Sequence, residues 1–315
     1  MREIKLEENK ILHLKRSEIE DQKWDDCVTN SSFDNPLAYC WVLDIMYPKW
    51  EAIVDSEYKW VLPITAIKFL KWKFISLPNY VQYLGFIGSS SGEEFKSILS
   101  CLKRELGLVF VTFGQTPGIN DNLIAESYLR TTYHLNLNQS YEDIKSNYSS
   151  SCKKNIRRGC RENVQISISD SSDELIQLKS EMVKFKGLDR ISDISNSRLK
   201  ELISVAIKFK KGVLYKAEVS DKLCASAFFI FGARGVNIFS ATNSLGRSSK
   251  ASFLLVDNFL HEYCKKDLYL DFCGSDIKSI ADFNSGFGAV PLSYTAYKIS
   301  KNTMSYYIWR ILVNI

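Results

Sequence analysis

The chain has 315 residues and a formal net charge of +5, and 45% of its residues are hydrophobic. This length has room for two domains with ordinary cores, and no stretch approaches the roughly 20 apolar residues that a membrane helix needs. The N-terminus, MREIKLEENK, is charged and has no apolar signal segment, so we expect a cytoplasmic protein. A charge of this size does not by itself indicate a nucleic-acid-binding protein.

Cysteines and histidines give no sign of a disulfide framework or a metal site. The eight cysteines are scattered and form no C-x-x-C motif. Without a secretory signal, reduced thiols are the expected state. None of the three histidines (His13, His134 and His261) lies at ligand spacing from a pair of cysteines.

The first half of the chain is predicted to mix strands and helices. Ser17 and Glu20 fit a capping box, which predicts a helix from there to about Val28. Asn35 and Pro36 supply a cap and a first-turn proline for a second helix over 37–46. The remaining predicted elements are strands over 11–14, 51–54, 59–68, 108–113 and 131–137, extended chain over 74–87, and a helix over 93–106.

The second half has a clearer order of elements. The predicted order is strand 164–170, helices 173–186 and 196–211, strands 213–219, 223–233 and 236–242, helix 249–266, strand 268–273, helix 276–286 and strand 292–299. The first half repeats this order less cleanly, which indicates an internal duplication. The other interpretation is a chance resemblance between two α/β segments.

This order of elements resembles the GNAT acyltransferase fold, and its repetition resembles the tandem arrangement of the FemABX aminoacyltransferases. Local stretches support the resemblance. LDFCGS at 270–275 followed by FNSGFG at 283–288 is similar to the end of that family's second domain, and KKNIRRGCR at 153–161 is similar to its basic helix. The stretches WD at 24–25, YPKW at 47–50, LP at 62–63 and QYLG at 82–85 resemble uncharacterised bacterial relatives.

The resemblance implies an α/β (α+β) protein with two tandem GNAT-like (acyl-CoA N-acyltransferase) domains, each a mixed central sheet flanked by helices. We expect the N-terminal domain to span 1–140 and the C-terminal domain 141–315, with a basic helix over 141–163 at the start of the second.

That helix concentrates positive charge on one side. Its cations at helical spacing lie in two neighbouring rows along the helix surface, and they include Lys153, Lys154, Arg157 and Arg158. Like charges at this spacing repel, and an anionic partner would relieve the repulsion. Two interpretations stay open: the helix contacts the phosphates of a substrate, or it is a solvated linker between the domains.

The segment after the predicted strand 236–242 is the second candidate site. A coenzyme-A-dependent GNAT carries Q/R-x-x-G-x-G/A there, and its backbone N–H groups bind the pyrophosphate. The residues proposed to bind the donor here are Asn243, Gly246, Arg247, Ser248 and Lys250. The match is degenerate, because Asn243 replaces Gln or Arg and Ser248 replaces the second small residue. Ser248 or Ser249 as a simple helix cap is the alternative.

Acyl transfer to an amine needs orientation, a path for the amine proton and donors for the oxyanion. No G-x-S-x-G motif is present. Asp271, at the carboxyl end of an apolar strand, is the candidate general base, and Tyr294 is a candidate proton donor. Gln82 is a candidate acceptor contact in the aromatic-rich first domain.

The expected activity is an N-acyltransferase or aminoacyltransferase that acts on an amine of a cell-envelope precursor, such as peptidoglycan or an amino sugar. An acetyl-CoA-dependent N-acetyltransferase and a non-catalytic GNAT-like binding protein are the alternatives. We expect no tightly bound cofactor, and either aminoacyl-tRNA or acyl-CoA as the donor. The acceptor is expected to be a small or nucleotide-linked molecule, with tRNA as a further partner. The apolar tail over 304–315 allows a weak membrane-surface contact.

Overall fold

The computed structural model describes residues 2–5, 10–32, 34–69, 72–75, 77, 79–89, 95, 97–98, 100, 102, 108–113, 126–185, 191–273 and 276–300. The chain forms two compact units. Unit 1 contains 1–131 and 293–315, and unit 2 contains 132–292. The tail over 304–315 and most of the predicted helix 93–106 lie outside the described residues.

Strands and helices both occur throughout the described chain. The strands are β1 Arg2–Lys5, β2 Lys10–Lys15, β3 Glu51–Asp55, β4 Trp60–Ile64, β5 Ala66–Phe69, β6 Trp72–Ile75, β7 Gly85–Gly88, β8 Leu108–Phe113, β9 Glu126–Asn136, β10 Gln165–Ile168, β11 Gly212–Val219, β12 Lys222–Phe231, β13 Gly235–Thr242, β14 Tyr269–Asp271 and β15 Val290–Ser300. The helices are α1 Asp21–Asn30, α2 Cys40–Met46, α3 Tyr141–Ser146, α4 Ser150–Arg161, α5 Ser172–Phe185, α6 Asp193–Lys208, α7 Ser244–Ser249, α8 Ala251–Tyr263 and α9 Lys278–Gly286.

Unit 1 has a mixed sheet with the strand order β1-β2-β3-β4-β7-β8-β15. The first four strands are antiparallel neighbours, β7 runs parallel to β8, and β15 pairs with β8 in the antiparallel sense. The indoles of Trp24, Trp50 and Trp60 are almost completely buried, so these aromatic residues build the core of the unit.

The start of α1 differs from the prediction. Glu18, and not Glu20, accepts the N–H of Lys15 at 3.0 Å, in a short 3₁₀ turn over Arg16–Glu18. The α-helix begins only at Asp21. Asn35 is a cap as predicted, because its side chain accepts the N–H of Leu37 at 3.0 Å. It caps a 3₁₀ turn over Pro36–Ala38, however, and α2 begins only at Cys40.

Unit 2 has the strand order β9-β14-β13-β12-β11-β10. Its one described parallel pair is β13 with β14. The two strands pair from Gly235, opposite Tyr269, to Asn237, opposite Asp271. Beyond that point β14 ends, and β13 continues to Thr242 paired with β12. Asp271 is the last residue of β14.

A left-handed residue divides the predicted helix 249–266. Lys250 has a φ of 63°, and it ends α7 and begins α8. The helical segment predicted after Ser140 is confirmed in two pieces, α3 and α4. The Ser140 hydroxyl accepts the Asp143 N–H at 3.1 Å, and Ser149 caps α4 by accepting the N–H of Cys152 at 3.1 Å.

Each unit contains a strand that comes from the far side of the predicted domain boundary. From Thr132 onward β9 belongs to unit 2, where it pairs with β14, and from Ser293 onward β15 belongs to unit 1, where it pairs with β8. The breaks at 131/132 and 292/293 therefore differ from the predicted boundary at 140/141. A strand's partner is chosen by pairing between residues distant in sequence, which local patterns do not reveal.

This arrangement predicts which unit a change in β15 will destabilise. Ala296 is completely buried opposite Thr112, and replacing it with serine buries a hydroxyl at a cost of about 1–3 kcal/mol. In Ala296→Ser we expect faster amide hydrogen exchange in β3 and β4 of unit 1. The matched control is Ala227→Ser, also completely buried, which should speed exchange in β11 to β13 of unit 2. If Ala296→Ser speeded amide exchange only in β11 to β13, the assignment of β15 to unit 1 would be wrong.

Candidate functional site

A buried carboxylate lies at the end of β14, beside β13. Asp271 has no exposed surface. Its Oδ1 accepts hydrogen bonds from the hydroxyl of Thr132 and, at 2.7 Å, from the N–H of Cys273. Its Oδ2 lies 3.4 Å from Nε2 of His134. The carboxylate is therefore held in position through Oδ1, and the imidazole lies next to Oδ2.

Strand register explains why these groups meet. His134 in β9 is directly opposite Asp271 in β14, and residues opposite each other in an antiparallel pair point to the same face of the sheet. Thr132 and Tyr269 lie two residues from His134 and Asp271 along their strands, so they share that face. The Tyr269 ring stacks on the imidazole, with centroids 4.7 Å apart and planes 18° apart. Hydroxyl, carboxylate and imidazole thus form one cluster within unit 2.

The sequence identified Asp271 but gave His134 no role. Its partners are far away in the chain: Thr132 and Asp271 are 139 residues apart. The available sequence signal was that Thr132 and His134 lie two residues apart on one strand. Their partner Asp271 becomes evident once β9 is paired with β14.

Cys273 is not suited to act as a nucleophile in this cluster. It is buried, and burial together with the neighbouring Asp271 carboxylate raises the pKa of its thiol well above the ordinary value. The thiolate is the reactive form of cysteine, so Cys273 stays an unreactive thiol at neutral pH.

A cleft of about 480 Å³ lies elsewhere on unit 2. It is formed by the start of α4, the junction of α7 and α8, and α9, and it is lined by Ser149, Ser151, Cys152, Gly246, Arg247, Lys250, Ser252, Phe253, Ser279, Asp282, Phe283 and Gly286. The rings of Phe253 and Phe283 pack edge to face, with their centroids 4.7 Å apart. The cleft combines an aromatic wall with two cations, Arg247 and Lys250, and is in the size range of small-molecule sites.

Three of the five predicted donor-binding residues line this cleft: Gly246, Arg247 and Lys250. Asn243 and Ser248 are not among its lining residues. The Ser248 hydroxyl instead donates to the carbonyl of Leu245 at 2.9 Å. The predicted alternative, a cap at Ser248 or Ser249, also differs from the structure, in which Asn243 caps α7.

Asn243 closes the turn that a coenzyme A pyrophosphate would use. Its side-chain oxygen accepts the N–H of Gly246 at 3.0 Å, and its carbonyl accepts the N–H of Arg247 at 3.0 Å. Its Nδ2 donates to the carbonyl of Leu223 at 3.0 Å, which ties the turn to β12. Two backbone donors of the degenerate motif are therefore already occupied by the protein.

The basic residues of α4 lie on the side opposite its packed face. Cys152, Ile156 and Gly159 are buried, and a Cβ on Gly159 would lie 2.7 Å from Leu254 of α8. Lys153 is half-buried and donates to the carbonyl of Ser146 at 3.1 Å. The other cations of the helix, Lys154, Arg157, Arg158 and Arg161, are exposed.

These exposed side chains make only weak contacts within the protein. Arg157 Nε lies 3.3 Å from the carbonyl of Lys153, and Arg158 Nε lies 3.7 Å from Glu162. Exposed ion pairs of this length contribute little to stability. The charges of this face therefore remain available to an external anion.

The other two predicted residues belong to unit 1. The ring of Tyr294 is buried and lies 5.3 Å from the ring of Tyr83, whereas Gln82 is exposed. Unit 1 also has a polar cleft of about 640 Å³, whose lining includes Lys23, Lys59 and Tyr58 but neither predicted residue.

The described residues provide neither a metal centre nor a disulfide. Within them, no group of three or more His, Cys, Asp or Glu side chains is placed to hold a metal ion. Every cysteine that the structure describes is a free thiol. In the same part of the chain, no helix has the length and apolar character required to cross a bilayer.

Gly246 is predicted to be irreplaceable for packing. A Cβ at this position would lie 2.1 Å from the carbonyl oxygen of Cys224 and 2.3 Å from Oγ1 of Thr242. We expect Gly246→Ala to lower the free energy of unfolding by about 1–3 kcal/mol in urea denaturation. Gly286→Ala, also in the cleft, is the matched control. Its Cβ would meet nothing closer than 3.5 Å, so stability should be unchanged or up to about 1 kcal/mol higher. Equal stability of the two variants would contradict the close packing of α7 on β12.

Comparison of the sequence with protein-family models and with curated proteins found no match. Solved structures do match. FemX has a TM-score of 0.64 at 12% identity, over 92% of this chain and 98% of that chain. The C-terminal domain of a putative lysylphosphatidylglycerol synthetase from Agrobacterium fabrum has a TM-score of 0.56 at 10% identity, over 93% of this chain and 95% of that chain.

A tandem GNAT protein from the clavulanic acid biosynthesis pathway has a TM-score of 0.53 at 9% identity, over 93% of this chain and 99% of that chain. At these identities the likeness concerns the fold alone. The resemblance stated from the sequence is confirmed at that level: the chain has the α/β fold of the tandem GNAT and FemX structures along nearly its whole length.

Proposed function

We propose that this protein is an N-acyltransferase of the aminoacyl-transferring kind, which moves an amino acid from aminoacyl-tRNA to an amine of a cell-envelope precursor. The observation that carries the choice of donor is the closed turn at Asn243. A coenzyme A pyrophosphate needs backbone N–H groups after the last of the three consecutive strands of a GNAT domain. Here the N–H groups of Gly246 and Arg247 are bonded to Asn243 instead.

Positive charge beside the turn supports a phosphate-bearing donor of a different shape. Arg247 and Lys250 line the cleft, and so do Ser149 and Ser151 at the start of α4. The exposed cations continue along α4, whose 12 residues extend about 18 Å. A single-stranded nucleic acid end carries a phosphate at each nucleotide and can follow such a helix, whereas a compact pyrophosphate cannot.

The chemistry in the cleft fits direct transfer without a covalent enzyme intermediate. Cys152 is the thiol of its lining, and burial, with a contribution from Asp257, raises its pKa to about 12. A protonated thiol is a poor nucleophile. The reaction then depends on positioning the amine against the ester carbonyl, which the GNAT fold achieves by binding both reactants.

The choice of an envelope acceptor is supported by one of the similar structures. Lysylphosphatidylglycerol, in the name of that synthetase, is an amino acid joined to a membrane lipid. We extend the transfer of an amino acid to an envelope component to the present protein. The amine is part of our proposal, because phosphatidylglycerol itself offers a hydroxyl group. An acetyl-CoA-dependent acetyltransferase and a non-catalytic binding protein remain the competing functions, and donor binding separates them.

The basic face of α4 predicts how tRNA binding depends on salt. We expect Lys153→Gln/Arg157→Gln to bind tRNA more weakly, with the slope of log affinity against log salt reduced by about 1 to 2. Its stability should be unchanged or slightly higher, because repulsion between like charges is removed. Lys200→Gln/Lys208→Gln on α6 removes the same charge elsewhere and should leave the slope unchanged.

Two results would argue against this function. If both double variants bound tRNA as the wild type does, the basic side of α4 would be a solvated surface of unit 2. Calorimetry that gave a low-micromolar Kd for acetyl-CoA would favour the ordinary acetyltransferase.

A further inference from the structure

We propose that Asp282 binds the α-ammonium group of the aminoacyl donor, which makes the protein specific for esters of amino acids whose amino group is free. The inference rests on the proposed function, and it names the residue that recognises the transferred group. Asp282 lies on α9 and lines the cleft of unit 2 to which Arg247 and Lys250 contribute positive charge.

The lining of this cleft carries its charges in a definite order. Lys250 begins α8, and its carbonyl accepts the N–H of Phe253 at 3.0 Å, so these two residues are neighbours. The Phe253 ring packs against the Phe283 ring of α9, with their centroids 4.7 Å apart. Phe283 directly follows Asp282 in the chain. The order along the lining is therefore cation, aromatic pair and carboxylate.

The end of an aminoacyl-tRNA has the same order of groups with the opposite charges. A phosphate is followed by the terminal nucleoside, and the nucleoside carries the amino acid with its protonated amino group. Aromatic side chains accept any base, because every base has a π-face. A cleft of about 480 Å³ is in the range of sites for molecules of this size. Acetyl-CoA has no ammonium group on its acyl part, so it lacks the group that Asp282 would bind.

The carboxylate of Asp282 is accessible to a ligand. Its side chain is 62% exposed, and Nζ of Lys278, one turn earlier on α9, lies 3.1 Å from both of its oxygens. The side chain of Lys278 is 87% exposed, and ion pairs between such exposed groups are weak. The ammonium group of a ligand held in the cleft can therefore take the place of Lys278.

The neighbouring acids of unit 2 have other roles. Asp257 on α8 accepts the hydroxyls of Tyr141 and Tyr148 at 3.0 and 2.8 Å, and Asp271 has no exposed surface. Neither is among the lining residues of the cleft, where Asp282 is the one acid in the part of the chain that the structure describes. An ammonium group in this cleft thus has Asp282 as its carboxylate partner.

Two small probes test the assignment by calorimetry, without a transfer step. Both are adenosine 5′-phosphate with an acid in amide linkage to a 3′-amino group. One carries alanine, and the other carries lactic acid, which has a hydroxyl where alanine has its ammonium group. We expect the wild type to bind the alanyl probe about 2- to 5-fold more tightly, which is the effect of one exposed charge pair. Asp282→Asn should bind the two probes equally.

Three further variants separate the two ends of the site. Lys278→Gln removes the cation that competes for the carboxylate, so it should increase the preference for the alanyl probe. Lys250→Gln should weaken the binding of both probes and leave the preference unchanged. Glu181→Gln, which removes an exposed carboxylate of α5 outside the cleft, should change neither the affinities nor the preference.

Three results would overturn the assignment: equal binding of the two probes to the wild type, an unchanged preference in Asp282→Asn, or no binding of either probe. Failure of the proposed function gives a different result. If the wild type transferred no amino acid from tRNA, and its preference for the alanyl probe still disappeared in Asp282→Asn, the function would be wrong and the ammonium site would stand.

Discussion

A carboxylate with no access to water must be supplied with hydrogen-bond donors by the protein, and Asp271 is such a group. Its donors are the Thr132 hydroxyl and the Cys273 N–H, and the imidazole of His134 faces its other oxygen. Two of these three come from β9. The need to satisfy one buried charge therefore ties β9 to β14 and completes the sheet of unit 2.

The same constraint links topology to chemistry. Because β9 supplies the neighbours of Asp271, β9 belongs to the sheet of unit 2 although it precedes α3. In the same way, β15 completes the sheet of unit 1. If unit 2 began at α3 it would lack β9, and Asp271 would lose its neighbours Thr132 and His134. Removing one partner from a buried charged cluster is strongly destabilising, which explains why β9 folds as part of unit 2.

A second packing constraint bears on the donor. No Cβ fits at Gly246 because α7 lies directly against the carbonyl of Cys224, and Asn243 fastens the same turn to β12. The turn is tight for structural reasons, and its N–H groups are occupied as a result. Positive charge at Arg247, at Lys250 and along α4 then offers a different way to bind phosphate, one that suits an extended polyanion better than a pyrophosphate.

Local patterns predicted the periodic elements well. The strand predicted over 108–113 has the observed bounds, and the helical segment after Ser140 starts with the predicted cap. The short helix α7 and the left-handed Lys250 that separates it from α8 were missed, because the predicted helix began only at 249. The placement of β9 in unit 2 and the position of His134 beside Asp271 depend on pairing between residues more than a hundred positions apart, which single-sequence patterns do not encode.

The most direct test of the account is a transfer assay with the purified protein and a cell-envelope precursor that carries a free amine. One reaction receives tRNA charged with radiolabelled amino acids, and the other receives labelled acetyl-CoA. The account predicts that label from the charged tRNA enters the precursor through an amide bond, and that acetyl-CoA labels nothing. Label from acetyl-CoA alone, or from neither donor, would contradict it.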